Sequence, residues 1–268
     1  MSLFIRDLRG SLQKPDHWLY ASWLDVITKY RKNYFGLVWI FFPPIVYIWG
    51  IGGYIGSLQP GLQLEPFLAH VGFGFIIYRF LSTVAVDATQ TFAGYQSYIH
   101  DGNLRLTDFI LRPLARSLIY FVFAAPLLAI TLLGVMLGEG EAPGWLGVLA
   151  SLAGLLVVLV NLLFYAVVLA LLGARFPDLG EFAGSVVLAG FLLTPVVWYP
   201  ELAPEGTVRG TLMRANPFHH LLAIVRAPVL GEALEQATLV YLAVMTVLGF
   251  ALAWVGYNRF ARRVPAWL

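Results

Sequence analysis

Residues 105–137 read RLTDFILRPLARSLIYFVFAAPLLAITLLGVML. Arg105, Arg112 and Arg116 stand at its start, and from Ser117 to Gly138 no charged residue follows. A basic flank leading into an apolar run of spanning length marks a membrane helix entered from the side where Lys and Arg collect. The pattern repeats in both directions along the chain. The N-terminal arm carries Arg6, Arg9, Lys14, Lys29, Arg31 and Lys32. Arg175 marks a later gap, and Arg259, Arg262 and Arg263 mark the tail. The intervening gaps, around 58–65 and 138–145, hold neither Lys nor Arg. Positive charge in every second gap predicts a polytopic membrane protein with both ends in the cytoplasm.

Composition agrees. The chain of 268 residues is 59% hydrophobic and 12% charged, with a mean hydropathy of +0.77, outside the range of soluble domains. With no cysteine, disulfide frames and thiolate metal sites are excluded. A net charge of +2 gives no footprint for nucleic acid. Residues 1–34 lack a sustained apolar core, so the first spanning helix is expected to drive insertion in place of a cleaved signal.

Spans are expected near 35–57, 66–92, 109–137, 146–173, 182–199 and 237–257, within one domain covering 1–268. The parts of that domain are a cytoplasmic interface segment over 1–34, a six-span bundle over 35–257 and a cytoplasmic tail over 258–268. The fold class is therefore all-α integral membrane. Residues 16–33 predict an amphipathic interface helix, with Leu19, Trp23, Val26, Ile27 and Tyr30 on one face. The long connection 200–236 contains Arg209, Arg214 and Arg226, which count weakly in so long a loop. There Asn216 is placed to cap a helix and Pro217 to open it, and an apolar face runs through Phe218, Leu221, Leu222, Val225 and Val229 to Gly231. That piece is too short to span and too apolar for water, so it predicts a re-entrant or interfacial helix on the outer face.

The chemistry of the side chains narrows the function. Lys14, Lys29 and Lys32 lie in no Gly-x-x-x-x-Gly-Lys context, so the chain has no P-loop of its own. Asp87 is the one carboxylate well inside an expected span, too little for a proton-coupled carrier. Arg79 lies near the middle of the second span, where a charge costs about 3 kcal/mol or more and must face protein or water. It either lines a hydrated path that meets an anionic or hydroxyl-rich substrate, or is buried against carbonyls or a carboxylate of another helix. His70, His100, His219 and His220 do not make a metal site, because adjacent His219 and His220 diverge on a helix and no thiolate or carboxylate completes a set.

Aromatic residues are dense, with 8 Trp, 13 Tyr and 19 Phe. Tyr47 and Tyr54, seven residues apart in the first span, are expected on one face, with Trp198 and Tyr199 ending the fifth span. Rings that stack on sugar faces and hydroxyls that exchange hydrogen bonds suit a sliding polymer, while packing and interfacial belts use the same residues. Pro43-Pro44 should kink the first span, and Gly52-x-x-x-Gly56 offers a close-packing face.

Several motifs then resemble one family. The run Tyr30-Arg31-Lys32-Asn33-Tyr34-Phe35-Gly36-Leu37-Val38-Trp39, with proline soon after, is similar to the start of the first membrane helix in permeases of polysaccharide-exporting ABC transporters. Leu111-Arg112-Pro113-Leu114, Arg175-Phe176-Pro177-Asp178-Leu179 and Asn216-Pro217-Phe218 follow in the family's order. Ala227-Pro228 and the ending at Arg262–Pro265 most resemble the O-antigen branch.

The resemblance implies a multi-pass homodimer in a bacterial inner membrane, working with two copies of a separate ATP-binding subunit. That subunit would hold ATP and magnesium, and this chain would bind no cofactor. The cargo would be a lipid-linked polysaccharide, O-antigen before capsule or teichoic acid. Residues 16–30 and the loop with Tyr95, Tyr98, His100 and Asp101 would dock the ATPase. Tyr47, Tyr54, Arg79, Trp198 and Tyr199 would line the channel, and the helix opened by Asn216, Pro217 and Phe218 would gate it outside. A permease for a drug or small lipid is the near alternative. A membrane glycan acyltransferase is the distant one, needing a buried His or Asp constellation that His70 with Asp87 supplies poorly.

Overall fold

Long charge-free runs have one way to satisfy their backbone without water, the α-helix, and a computed structural model follows that rule. The structure describes residues 2–138 and 143–268, and every regular element among them is helical. The first two elements are α1 (Leu3–Gln13) and α2 (Leu19–Arg31). A broken helical run over 36–57 contains α3 (Phe42–Ile45) and α4 (Gly53–Ser57). Next come α5 (Leu64–Gly94), α6 (Gln96–His100), α7 (Leu106–Leu137), α8 (Trp145–Arg175) and α9 (Leu179–Leu193). After these lie α10 (Val208–Ala215), α11 (Pro217–Leu230), α12 (Gln236–Phe260) and α13 (Val264–Trp267).

α5 is buried along most of its length and forms the axis of the bundle. α7, α8, α9 and α11 pack around it, and α12 packs on the far side of α8. Close approach at α8 depends on missing side chains. A Cβ on Gly173 would stand 1.8 Å from the carbonyl oxygen of Thr89 in α5. One on Gly154 would stand 2.4 Å from that of Ile224 in α11. The outward faces of α7, α8 and α12 carry exposed Val122, Leu133, Leu137, Leu149, Leu156, Val240, Val244 and Val247. Among the described residues, four helices are long and apolar enough to cross a membrane: α5, α7, α8 and α12 with its extension to Trp267. This is the build of an all-α membrane protein.

The remaining expected spans differ from straight helices. In the first, Pro43 and Pro44 occupy the opening turn of α3 after a 3-10 turn over Gly36–Ile40. Their missing N–H groups would be unbonded there anyway, so the pair starts a helix where a kink was expected. The irregularity comes later, as a π-helical stretch over Val46–Gly52. The fifth expected span, 182–199, stops as α9 at Leu193. Thr194 precedes Pro195 and is extended, as the residue before proline prefers. At 15 residues, α9 measures about 22 Å, short of the ~30 Å hydrocarbon core.

The N-terminal arm also holds more structure than expected. α1 was not foreseen; its Phe4 ring lies 5.5 Å from that of Tyr257, and its Ser11 shares a hydrogen bond of 2.6 Å with Thr107. The signal was present as Leu3, Phe4, Leu8 and Leu12 at helical spacing. α2 buries Ser22, Val26 and Tyr30, with Trp23 stacked on Phe123 of α7. Much of its expected lipid-facing stripe therefore meets protein, and Leu19 stays exposed. In the connection 200–236, α11 opens and closes as expected. Asn216 accepts the N–H of Phe218 at 3.0 Å, and Gly231 takes the left-handed φ of 67° that ends a helix. The centre of the expected outer gap 138–145 falls outside the described residues.

Candidate functional site: two polar clusters and a central arginine

Where α5 ends, the arm is tied to the bundle by charge. Asp87 of α5 and Asp25 of α2 both face Arg116 of α7, whose guanidinium lies 2.5 Å from Asp87 and 4.0 Å from Asp25. Tyr95 donates its hydroxyl to Asp25 at 3.0 Å. Its ring stacks on Phe109 and lies beneath the Arg112 guanidinium, 4.4 Å from the ring centre. Three helices are thus joined through one arginine and one tyrosine. Sequence reading named Tyr95 as a site residue but gave no such role to Asp25, Arg112 or Arg116; Arg112 and Arg116 entered as topology markers, Arg112 also within a family motif. Asp87 does not pair with Arg79, as their separation along one helix foretold.

The other three proposed coupling residues are elsewhere. α6 stands beyond this cluster, and Tyr98, His100 and Asp101 on and after it are exposed. Tyr95 is therefore the anchored root of the loop, and these residues are its accessible surface.

A second cluster lies at the opposite end of α5. Arg226 of α11, only 1% exposed, donates to Glu232 at 3.0 Å and to the carbonyl of Pro195 at 2.6 Å. His70 places Nδ1 2.6 Å from the same carboxylate and Nε2 3.0 Å from the Trp198 carbonyl. Both ring nitrogens thus lie within hydrogen-bonding distance of oxygens. Burial alone would raise the Glu232 carboxyl, but the His70 hydrogen bond and the Arg226 charge outweigh it and hold it below its ordinary value. Tyr199 packs on His70 and Phe67. The clasp pins the non-helical stretch after α9 and the turn after α11 to α5.

Arg226 was read as a loop charge of little consequence. Its signal was visible as one cation inside the apolar face of α11. Nearby, Asn216 also donates to Thr194 at 2.8 Å, fastening α11 to the end of α9. Pro217 takes the first turn, and Phe218 packs on Tyr78 of α5. His220 is held by Thr238 and the Arg214 carbonyl, and Arg214 grips Glu235 at 2.6 Å.

The aromatic pair of the first span does not share one environment. Tyr47 stacks on Phe75 with centroids 4.0 Å apart and meets Phe191 edge-on, whereas Tyr54 is 66% exposed. The π-helical stretch between them changes the residue-to-angle relation on which seven-residue spacing relies. Trp198 lines a separate crevice with Leu193 and Arg209. Arg79 faces a small cavity shared with Ile40, Pro44, Ser117 and Tyr120. Among the described residues no carboxylate reaches Arg79, since Asp87 and Asp25 are both engaged by Arg116.

Neither the protein-family models nor the curated proteins compared with the chain match it.

Proposed function

We propose that the chain is the permease subunit of an ATP-driven exporter of a lipid-linked polysaccharide, O-antigen first among the candidates. In this reading it works as a homodimer with six passages per subunit, the run 36–57 and α9 with its extended tail supplying the first and fifth. Two cytoplasmic ATPase subunits provide the energy. The observation that carries the reading is the rooted loop at α6. An ATPase transmits force only through a rigid contact, and Tyr95 locks the base of α6 to α2 and α7 while Tyr98, His100 and Asp101 remain exposed. The ordered motifs of the family it resembles support the same assignment. On the outer side, α11 with its clasp to α5 is the natural gate.

A small-lipid permease is the second reading. An apolar cavity of about 560 Å³ between α5, α8, α11 and α12, lined by Leu81, Tyr165, Phe218 and Tyr241, favours it.

The test uses the natural absence of cysteine. Tyr98→Cys, co-expressed with a candidate ATPase subunit from the same organism, should cross-link to that ATPase. Charge reversal at Asp101 should uncouple ATP hydrolysis from polysaccharide export while the permease stays folded. Normal export by the Asp101 variant, together with no cross-link, rejects the assignment. Export of a small lipid in place of the polymer selects the second reading.

A further inference from the structure

The small cavity at Arg79 has the wrong chemistry for a packing defect. Ser117, 2% exposed, turns a hydroxyl into it that finds no hydrogen-bond partner among the described residues, and the buried Tyr120 hydroxyl is likewise unpartnered. The Tyr30 ring meets Tyr120 edge-on with centroids 6.3 Å apart, which brings the Tyr30 hydroxyl within reach of Tyr120 as an alternative partner. A guanidinium and two hydroxyls therefore converge as donors with no anionic acceptor. Apolar walls from Ile40, Pro44 and Phe80 surround them. Unsatisfied donors in such a setting are costly and mark a site that a ligand completes.

The cavity itself is about 20 Å³, but it shares Thr83 and Tyr120 with a cleft of about 590 Å³ between α2, α5 and α7. Lys29 stands in that cleft with its ammonium 5.7 Å from the ring centres of both Tyr30 and Tyr120. Asp25 and Asp87 line it too, and both turn to the single guanidinium of Arg116. Lys29 and Arg79 remain as the two cations without a carboxylate, one in the cleft and one at its inner end.

We infer that Arg79, Ser117 and Tyr120, with Lys29, form a binding site for a phosphate anion carried on a lipid. An arginine fork and hydroxyl donors match phosphate oxygens, and the cleft opens beside the amphipathic α2. Resting on the export reading above, the ligand is the phosphorylated head of the lipid-linked cargo. The site then takes the head of the cargo before any sugar enters the channel.

Binding of farnesyl diphosphate to the purified chain in phosphatidylcholine nanodiscs tests the site. Arg79→Gln should weaken binding about tenfold or more, with partial recovery in Arg79→Lys. Ser117→Ala and Tyr120→Phe should each weaken it about threefold. Because they delete unsatisfied hydroxyls, they should leave the melting temperature equal or higher, which keeps the test open if Arg79→Gln fails to fold. Competition by inorganic pyrophosphate but not phosphatidylglycerol assigns the site to diphosphate. Competition by both assigns it to lipid and free phosphate alike. Unchanged affinity in the folded variants, or displacement by neither competitor, overturns the site. Failure of export with this binding intact counts against the export reading and leaves the site standing.

Discussion

Arg226 and Glu232 show why single residues here answer to their surroundings. Each is an ordinary loop charge by sequence position, yet the guanidinium is enclosed and its cost is met by one carboxylate and one carbonyl. Removing one partner of a buried pair leaves the other charge stranded, which is worse than removing both. Glu232→Gln should therefore destabilise the protein by about 3 kcal/mol, whereas Arg226→Met combined with Glu232→Met should cost less. Thermal unfolding followed by tryptophan fluorescence decides this. If Glu232→Gln melts like the parent, the Pro195 carbonyl alone satisfies Arg226 and the clasp has been misread. Tyr47 and Tyr54 carry the same lesson in reverse. Identical residue types at helical spacing differ because one ring meets Phe75 and the other meets solvent or lipid.

Elements are fixed by local chemistry but placed by contact. α11 was legible in the sequence because an Asx cap, a first-turn proline and a terminal glycine each act within a few residues. α9 ends at Leu193, short of the expected 199, because Pro195 is the first residue able to stop the helix. The glycines of α8 acquire their meaning only from a neighbour. A Cβ at Gly154 would meet the Ile224 backbone, which cannot retreat as a side chain can. Gly154→Val should push α8 from α11 and cost about 1–3 kcal/mol, read as a lower melting temperature in detergent. Gly184, which has open space around it, is the control. Equal loss in Gly184→Val would show a general intolerance of β-branching and no specific contact.

For the whole molecule, the charge alternation makes a claim about sides that four long apolar helices do not settle alone. Cysteines placed singly in the cysteine-free chain should report it. Pro60→Cys and Glu205→Cys should react with an impermeant reagent from outside. His100→Cys, Asp178→Cys and Pro265→Cys should react only after the membrane is opened. Outside labelling at position 100 would remove both the six-pass reading and the docking role of α6. The arginine-centred cluster and the Arg79 cleft lie toward the basic arm, and the His70 clasp lies at the end where Lys and Arg are scarce in short gaps.

By itself the sequence determined the class, the long helices and the boundaries of α11. Those follow from hydrophobic length, from the exclusion of charge and from caps that act locally. Only the tertiary structure decided that α5 is the buried axis, that α2 lies on protein, and that Arg116 joins three helices. It also decided that Arg79 faces two unpartnered hydroxyls while Arg226 is fully paired. All 17 Lys and Arg residues look alike to a rule that counts charges by segment. What distinguishes them is which oxygens lie within a few ångströms, and residues far apart in the chain, such as Asp25 and Arg116 or His70 and Glu232, meet only after the helices have packed.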